Sequence, residues 1–377
     1  MGVNTFQYGD DVIGYVKLES TFGTAAKPTT SEAFRALSLT MSPVVNRPVL
    51  GDRRQTRSQM ERIEARKHAR WSAELIFRPS GSLGVAPDFG DLLKLGLGTE
   101  SVVASTSVTY SLLQDPTGVF ASIYKAISSM DEFVYSAIVQ QMVIEWSGDG
   151  LCIFRFSGIA KDYGKTSKTD ANGAGSGATA LIVDDADFLS KFSLVKVASD
   201  DNSATGFQVT ALDHATETAT LEAASSWSDD DDITSWLASL APSFTGDPIY
   251  GIDGQVSLDG GSTTVGFLNG SITLNTGLDL YNAEFGTDLA TDVTMPNRRS
   301  VDIALTMLLK EGEAHFNSLW GRKQSDNMQI ILGDTATQRM KVNMTNVEID
   351  PGEPTSPETG EIELSVSGTA LGTSGED

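Results

Sequence analysis

The sequence predicts a mainly β fold: two tandem β-sandwich units, each with a short helix, and a small β-barrel or sandwich domain inserted between them. Three observations carry that expectation. Apolar and polar residues alternate in short runs bounded by Gly, Ser, Thr and Pro, which is the period of a strand, and 36 Gly in 377 residues supply the turns. Short patterns from the first half recur in the same order in the second, the mark of a duplicated unit. Between them, from Lys165, the composition turns to Gly, Ser, Thr and Ala.

Residues 1–33 read as an N-terminal arm with one short strand, GYVKLES, and few core anchors. The first unit spans 34–164. Leu37, Leu39 and Met41 alternate onto one face, and Trp71, Ala73, Leu75 and Phe77 form an inward row opposite Ser72, Glu74 and Arg78, so a hairpin with a long tip is expected. PDFGDLLKLGLG starts with Pro and Asp and stops at Gly96 and Gly98, which suits a short helix. Strands are expected at 101–113, 118–127, 133–146 and 151–159, the last two joined by the turn SGDG.

The inserted domain, with its linkers, spans 165–247. Lys165 to Ala180 reads as a flexible linker, followed by four alternating runs, ATALIVDD, FSLVKVAS, TGFQVTALD and TATLEAAS. A module tethered this way is expected to project and to be separable. The second unit and a C-terminal tail occupy 248–377. SLTM at Ser38–Met41 is echoed by SITL at Ser271–Leu274, and FSGIA at Phe156–Ala160 by VSGTA at Val366–Ala370. VIEW (Val143–Trp146) is set against VEI (Val347–Ile349), and WSAELIF plus a helical run against SVDIALTMLL plus GEAHFNSLWGRK.

Charge separates the two long hairpin tips. The chain carries a net −23, yet Arg47 to Arg70 holds eight Arg and Lys against Asp52, Glu61 and Glu64. The second tip, Gly277 to Arg299, carries Asp279, Glu284, Asp288 and Asp292 before it reaches Arg298 and Arg299. A pI near 4.4 argues against tight nucleic-acid binding, because Lys and Arg supply most of that affinity.

Chemistry-bearing patterns are sparse. The single cysteine, Cys152, sits in the alternating run LCIFRF and reads as a core hydrophobe. His68, His214 and His315 adjoin no nucleophile motif, and neither GxxxxGK nor HExxH occurs. The run Asp229–Asp232 lacks the Gly and Glu that a calcium loop needs, having Thr234 and Leu240 in those places. No enzyme, catalytic residue, cofactor or metal is expected. The opening MGVNTFQYGDD has no leader pattern and no stretch is apolar enough to span a bilayer, so neither classical export nor membrane anchoring is expected. Against this stands a calcium-linked or carbohydrate-binding β surface protein, to which the Asp run, Trp227 and Trp236 point.

ESTFGTA, the segment EAFRALSLTMSPVVNRPVLGDRRQTRSQMERIEARKHARWSAEL, GVAPDFGDLLKLGLG and a strand ending in SG together resemble the tail tube proteins of bacteriophages with long, non-contractile tails. The insert, with its DxxDF pattern and GFQVTALD, is similar to small β modules of phage virion proteins. The resemblance implies a structural virion protein whose units each give four strands to a barrel shared between subunits. Its rings would stack into a negatively lined tube through which DNA passes to the host without specific binding. Two units per chain imply a homotrimeric, pseudo-hexameric ring. Partners would be other copies and other tail proteins, in the virion tail and, during assembly, in the host cytoplasm. The family's long tips reach the next ring, which makes Arg53, Arg54, Arg57, Arg62, Arg66, Asp279, Glu284, Asp288 and Asp292 the ring-stacking candidates.

Overall fold

A computed structural model describes residues 12–48, 65–198, 205–258, 263–265, 267–308, 325–355 and 363–372. The fold is mainly β, with one α-helix among these residues. The first half contributes β1 (Val12–Leu18), β2 (Ala33–Phe34), β3 (Ser38–Val45), β4 (Lys67–Ile76), α1 (Gly90–Leu97), β5 (Gly98–Val103), β6 (Ser107–Leu112), β7 (Ala121–Ile127), β8 (Met130–Ser147), β9 (Ile153–Ala160) and β10 (Asp162–Thr166). Next come β11 (Thr169–Asp170), β12 (Gly175–Ile182), β13 (Leu194–Val197), β14 (Phe207–Asp213), β15 (Thr218–Trp227) and β16 (Asp232–Ser235). The second half adds β17 (Gln255–Leu258), β18 (Thr263–Val265), β19 (Phe267–Asn275), β20 (Asp279–Tyr281), β21 (Asp292–Thr294), β22 (Ser300–Leu308), β23 (Ser325–Leu332), β24 (Met340–Thr355) and β25 (Glu363–Ala370).

Fifteen strands form one main sheet that curls into a half-barrel. At its centre β3 pairs β4, β4 pairs β9 and β9 pairs β8, while β19 pairs β22, β22 pairs β25 and β25 pairs β24. The two sets meet edge to edge where β8 and β19 pair from Gln141↔Asn275 to Ser147↔Asn269. Alternation turns one face of the central strands inward. Trp71, Ala73 and Leu75 of β4, Phe154 and Phe156 of β9, Ile272 and Leu274 of β19, Ile303 and Leu305 of β22 and Leu364 and Val366 of β25 belong to one continuous apolar cluster. Leu92, Leu93 and Leu95 of α1 close that cluster from below.

Two long strands change neighbours midway. β8 pairs β7 up to Ala137 and β9 from Ile138 onward. β24 pairs β23 up to Glu348 and β25 from Val347 onward. At the first change Ser136 takes φ +48°. Its N–H and hydroxyl both donate to the buried Glu19 carboxylate, at 2.7 and 2.8 Å. Trp71 Nε1 donates to the Ile138 carbonyl at 3.2 Å. Gly158 passes so close to that carbonyl that a Cβ there would overlap it, whereas a Cβ at Gly368 would sit 3.1 Å from the Glu348 oxygen.

Several expectations need correction. Leu37 is exposed rather than inward, because β3 starts one residue later. Residues 101–113 are not one strand but part of the hairpin β5–β6, turned at Ala104 to Thr106 with Ser105 at φ +56°. Lys165 to Ala180 is no loose linker: Lys165 pairs Glu132 in the β10–β8 ladder, and β11 and most of β12 fall within the stretch. All four runs of the insert are strands, in a six-stranded sheet of order β11, β16, β13, β14, β15, β12 with its own apolar cluster. This module also shares a second cluster with the main sheet, where Phe192, Leu194, Trp236 and Leu237 pack with Tyr15, Tyr124, Phe133 and Tyr135. Lys27 Nζ reaches Glu222 at 2.5 Å and the Gly206 carbonyl at 2.8 Å, and Gln208 Nε2 reaches the Ala25 carbonyl at 3.1 Å. The second unit's expected helix lies outside the described residues.

Candidate functional site on the polar face of the curved sheet

The face opposite the apolar cluster is hydroxyl-rich and runs across both halves. One row reads Ser38, Glu74, Arg155, Val143, Thr273, Asp302, Thr369 and Glu348, each opposite the next in its ladder. The alternation that buries Trp71 and Phe156 places these groups outward. In the first half Arg155 bridges two acids, pairing Glu145 through Nη1 and Glu74 through Nη2 at 3.4 Å. In the second half Asp302, Glu348, Asp350 and Glu363 are exposed on the same face. No Lys or Arg occurs in β19, β22, β25 or β24 beyond Val347.

A cleft of about 570 Å³ opens on this face, lined by Thr40, Ser42, His68, Arg70, Ser72 and Ser157 from the strands and by Asp279 and Asn282 from the second tip. Burial lowers the His68 pKa, and the Arg70 charge adds to that while Asp279 opposes it. The imidazole is therefore kept toward its neutral form.

The second tip folds back onto the first half. Leu278, Leu280, Ala290 and Val293 pack against Phe120, Ile138 and Ile159. Thr276 Oγ1 donates to the Val139 carbonyl at 2.6 Å. Of the stacking candidates, Arg66 meets this tip within the same chain: its Nη2 donates to the Glu284 carbonyl at 3.5 Å. Lys67, which the sequence reading did not single out for this role, binds Asp288 twice, N–H to carbonyl at 2.8 Å and Nζ to carboxylate at 3.4 Å. Asp279 lines the cleft, and Asp292 Oδ1 accepts the Val293 N–H at 2.8 Å. Arg53, Arg54, Arg57 and Arg62 lie outside the described residues. Phe285 stands fully exposed near the apex of the tip.

The groups offered for calcium or sugar binding are engaged otherwise. Asp229 Oδ1 accepts the Gly173 N–H at 2.6 Å and Asp231 Oδ2 the Ser228 N–H at 2.7 Å, which makes the run a set of turn caps. Trp227 and Trp236, expected on the surface, are buried, one in the module's core and the other against the main sheet. Among the described residues no three His, Cys, Asp or Glu gather closely enough to hold a metal ion. Cys152 is fully buried, and burial pushes its thiol up to about 12. Arg155 and Lys67 were missed as site residues; the sequence signal for Arg155 was a cation on the polar side of an alternating strand, and that for Lys67 was its place at the end of the basic stretch.

No protein-family model matches this chain, and no curated protein gives a significant match to its sequence.

Proposed function

We propose that this chain is a structural subunit that closes with copies of itself into a hollow tube, in the manner of the tail tube proteins of long, non-contractile phage tails. One observation carries the reading: two four-strand sets of the same internal order lie edge to edge through β8 and β19. Among the described residues their remaining edges are open: β3 pairs only β4, and β24 beyond Asp350 pairs only β25. Relative to its own set, β3 stands where β19 stands at the joint, and β24 stands where β8 stands. A β24-to-β3 contact between chains therefore repeats the internal joint, and such heterologous contacts stop adding copies only when the ring closes. With eight barrel strands per chain, three chains would complete a barrel of about 24. Closure also removes the open edges.

Pro43, Pro351 and Pro354 stand on these edges, and each removes an N–H from any ladder formed there. The joint between chains is accordingly weaker than the joint within one, and a ring falls apart into whole chains. The acidic second-half face, turned to the lumen, would keep DNA phosphate from adhering. Between rings, Arg53, Arg54, Arg57 and Arg62 would meet acidic groups of the next copy, with Phe285 a further contact. Reversing Arg53, Arg54 and Arg57 to Glu is expected to leave unstacked rings.

Electron microscopy of the full chain, with the mass of disassembled rings, tests the reading. Stacked rings of three chains are the expected outcome. A chain that stays monomeric at high concentration, or rings of six full-length chains, would overturn it.

A further inference from the structure

A buried carboxylate sits where the inserted module meets the main sheet. Asp131 of β8 is 1% exposed, and its Oδ2 accepts the Ser235 hydroxyl of the module at 2.7 Å. Its Oδ1 is buried without a hydrogen-bond partner. Thr166 stands directly opposite Asp131 in the β10–β8 ladder, and its hydroxyl is also buried and unpartnered. A hydrogen bond between Thr166 and Oδ1 satisfies both groups, and protonation of the carboxyl removes the further cost of a buried charge that no cation among the described residues offsets.

Charged and titratable groups from several elements surround Asp131. On its own strand, Glu132 pairs Lys125 of β7 at 3.2 Å and accepts the Tyr163 hydroxyl of β10 at 3.2 Å. Lys165 of β10 stands opposite Glu132. On the module side Lys168 pairs Asp232 at 2.6 Å and Asp170 at 3.9 Å. Tyr124 of β7 is kept neutral by burial. Among the described residues no cation pairs with Asp131.

We propose that Asp131 is a proton-controlled pin: when protonated it donates to Thr166 while accepting from Ser235 and holds the module on the main sheet, and when ionised it draws water into the joint and loosens it. Burial holds this carboxyl at about 7, with the Glu132 charge adding and the Thr166 and Ser235 hydroxyls opposing. Once wetted, the group returns to an ordinary value of about 3.9. A carboxyl raised in the docked state makes docking strongest below about pH 4. Docking then weakens by up to about tenfold per pH unit to about pH 7 and stays level above that.

Hydrogen exchange on the full chain between about pH 5 and pH 8, corrected for the intrinsic rate, reads the joint through the Ser235 N–H bond to the Ser129 carbonyl at 3.3 Å. The expected result is an opening equilibrium that rises at least about tenfold from pH 5 to 7 and then levels, while the β22–β25 ladder does not change. Asp131→Asn, whose amide donates to Thr166 and accepts from Ser235 at every pH, is expected to flatten the profile. A flat wild-type profile, or an unchanged slope in Asp131→Asn, would overturn the proposal. If Asp131→Asn does not fold, Thr166→Val serves instead. It removes the acceptor for the proton, so opening at low pH should rise toward the high-pH level; a wild-type slope in that variant would sink the idea.

Discussion

The two halves of the curved sheet have the same central strand order and one apolar core, yet their outward faces have little in common. Arg155, bridged to Glu74 and Glu145, keeps the first half close to electrical balance. Asp302, Glu348, Asp350 and Glu363 give the second half only negative charge. Inward positions are held to apolar residues by close packing, while outward ones are free to record a task. The halves differ again behind the core, because the module covers the outer strands of the first.

Removing that cover is the largest perturbation. Excising residues 167–243 with a short linker exposes Tyr124, Phe133 and Tyr135, each worth roughly 1.5–3 kcal/mol when buried. The first half is expected to lose its cooperative melting transition or drop by more than about 10 °C in calorimetry. An unchanged transition would mean the module is only decoration.

A matched pair of glycine substitutions sharpens the contrast next. Gly158→Ala pushes a methyl into a backbone carbonyl that Trp71 also holds, and is expected to cost on the order of 3 kcal/mol in denaturant unfolding. Gly368→Ala meets the equivalent oxygen at 3.1 Å and should cost about 1 kcal/mol or less. Equal costs would show that the two strand changes are packed alike after all.

Charge effects are smaller. Arg155→Gln should make the first half resemble the second, lowering stability by up to about 1 kcal/mol at low salt, since the pair is exposed. Melting at low and high salt checks this, with the loss shrinking as salt rises. The smallest effect concerns Glu32, whose carboxyl is held down to about 2. Burial opposes that shift; the Lys17 ammonium and hydrogen bonds from Thr29 outweigh it. A depressed acid stabilises above its unfolded value of about 4.3 and loses that contribution as pH falls toward 2. Glu32→Gln should therefore lower stability at neutral pH and become neutral near pH 2.

Strand alternation made much of the fold legible. It identified the four long runs of the insert and the inward rows of β4 and β9, and the Pro-Asp start with a Gly stop located α1. It failed where pairing overrides local preference. Lys165 to Ala180 has the composition of a linker, but open ladders on β8, β15 and β16 accept it as strand. The SLTM and SITL echo lies on strands with the same place in their four-strand sets, but not in the same register. Gly158 lies opposite Trp71 and Gly368 opposite Ile303, which matches Met41 to Ile272 and puts SLTM against SITL two residues out of step. A slip of two keeps every side chain on its face, so the alternation could not reveal it. The polar face itself was not foreseen, because Arg155 and Glu74 are far apart in sequence and meet only through the β4–β9 ladder. Asp131 gave no signal at all, since its burial depends on Ser235 arriving from another module.

β8 is 18 residues long and changes neighbours without a break. Its first part is laddered to β7 and β10, its second to β9 and β19. A pull applied to the module through β10 therefore travels along one continuous strand, through the left-handed residue Ser136, into the joint between the halves. The β8–β19 hydrogen bonds lie across that line, so they are loaded together in shear instead of being peeled one after another. Traction on the module is in this way delivered to the seam between the two halves, and no loop stands in the path to absorb it.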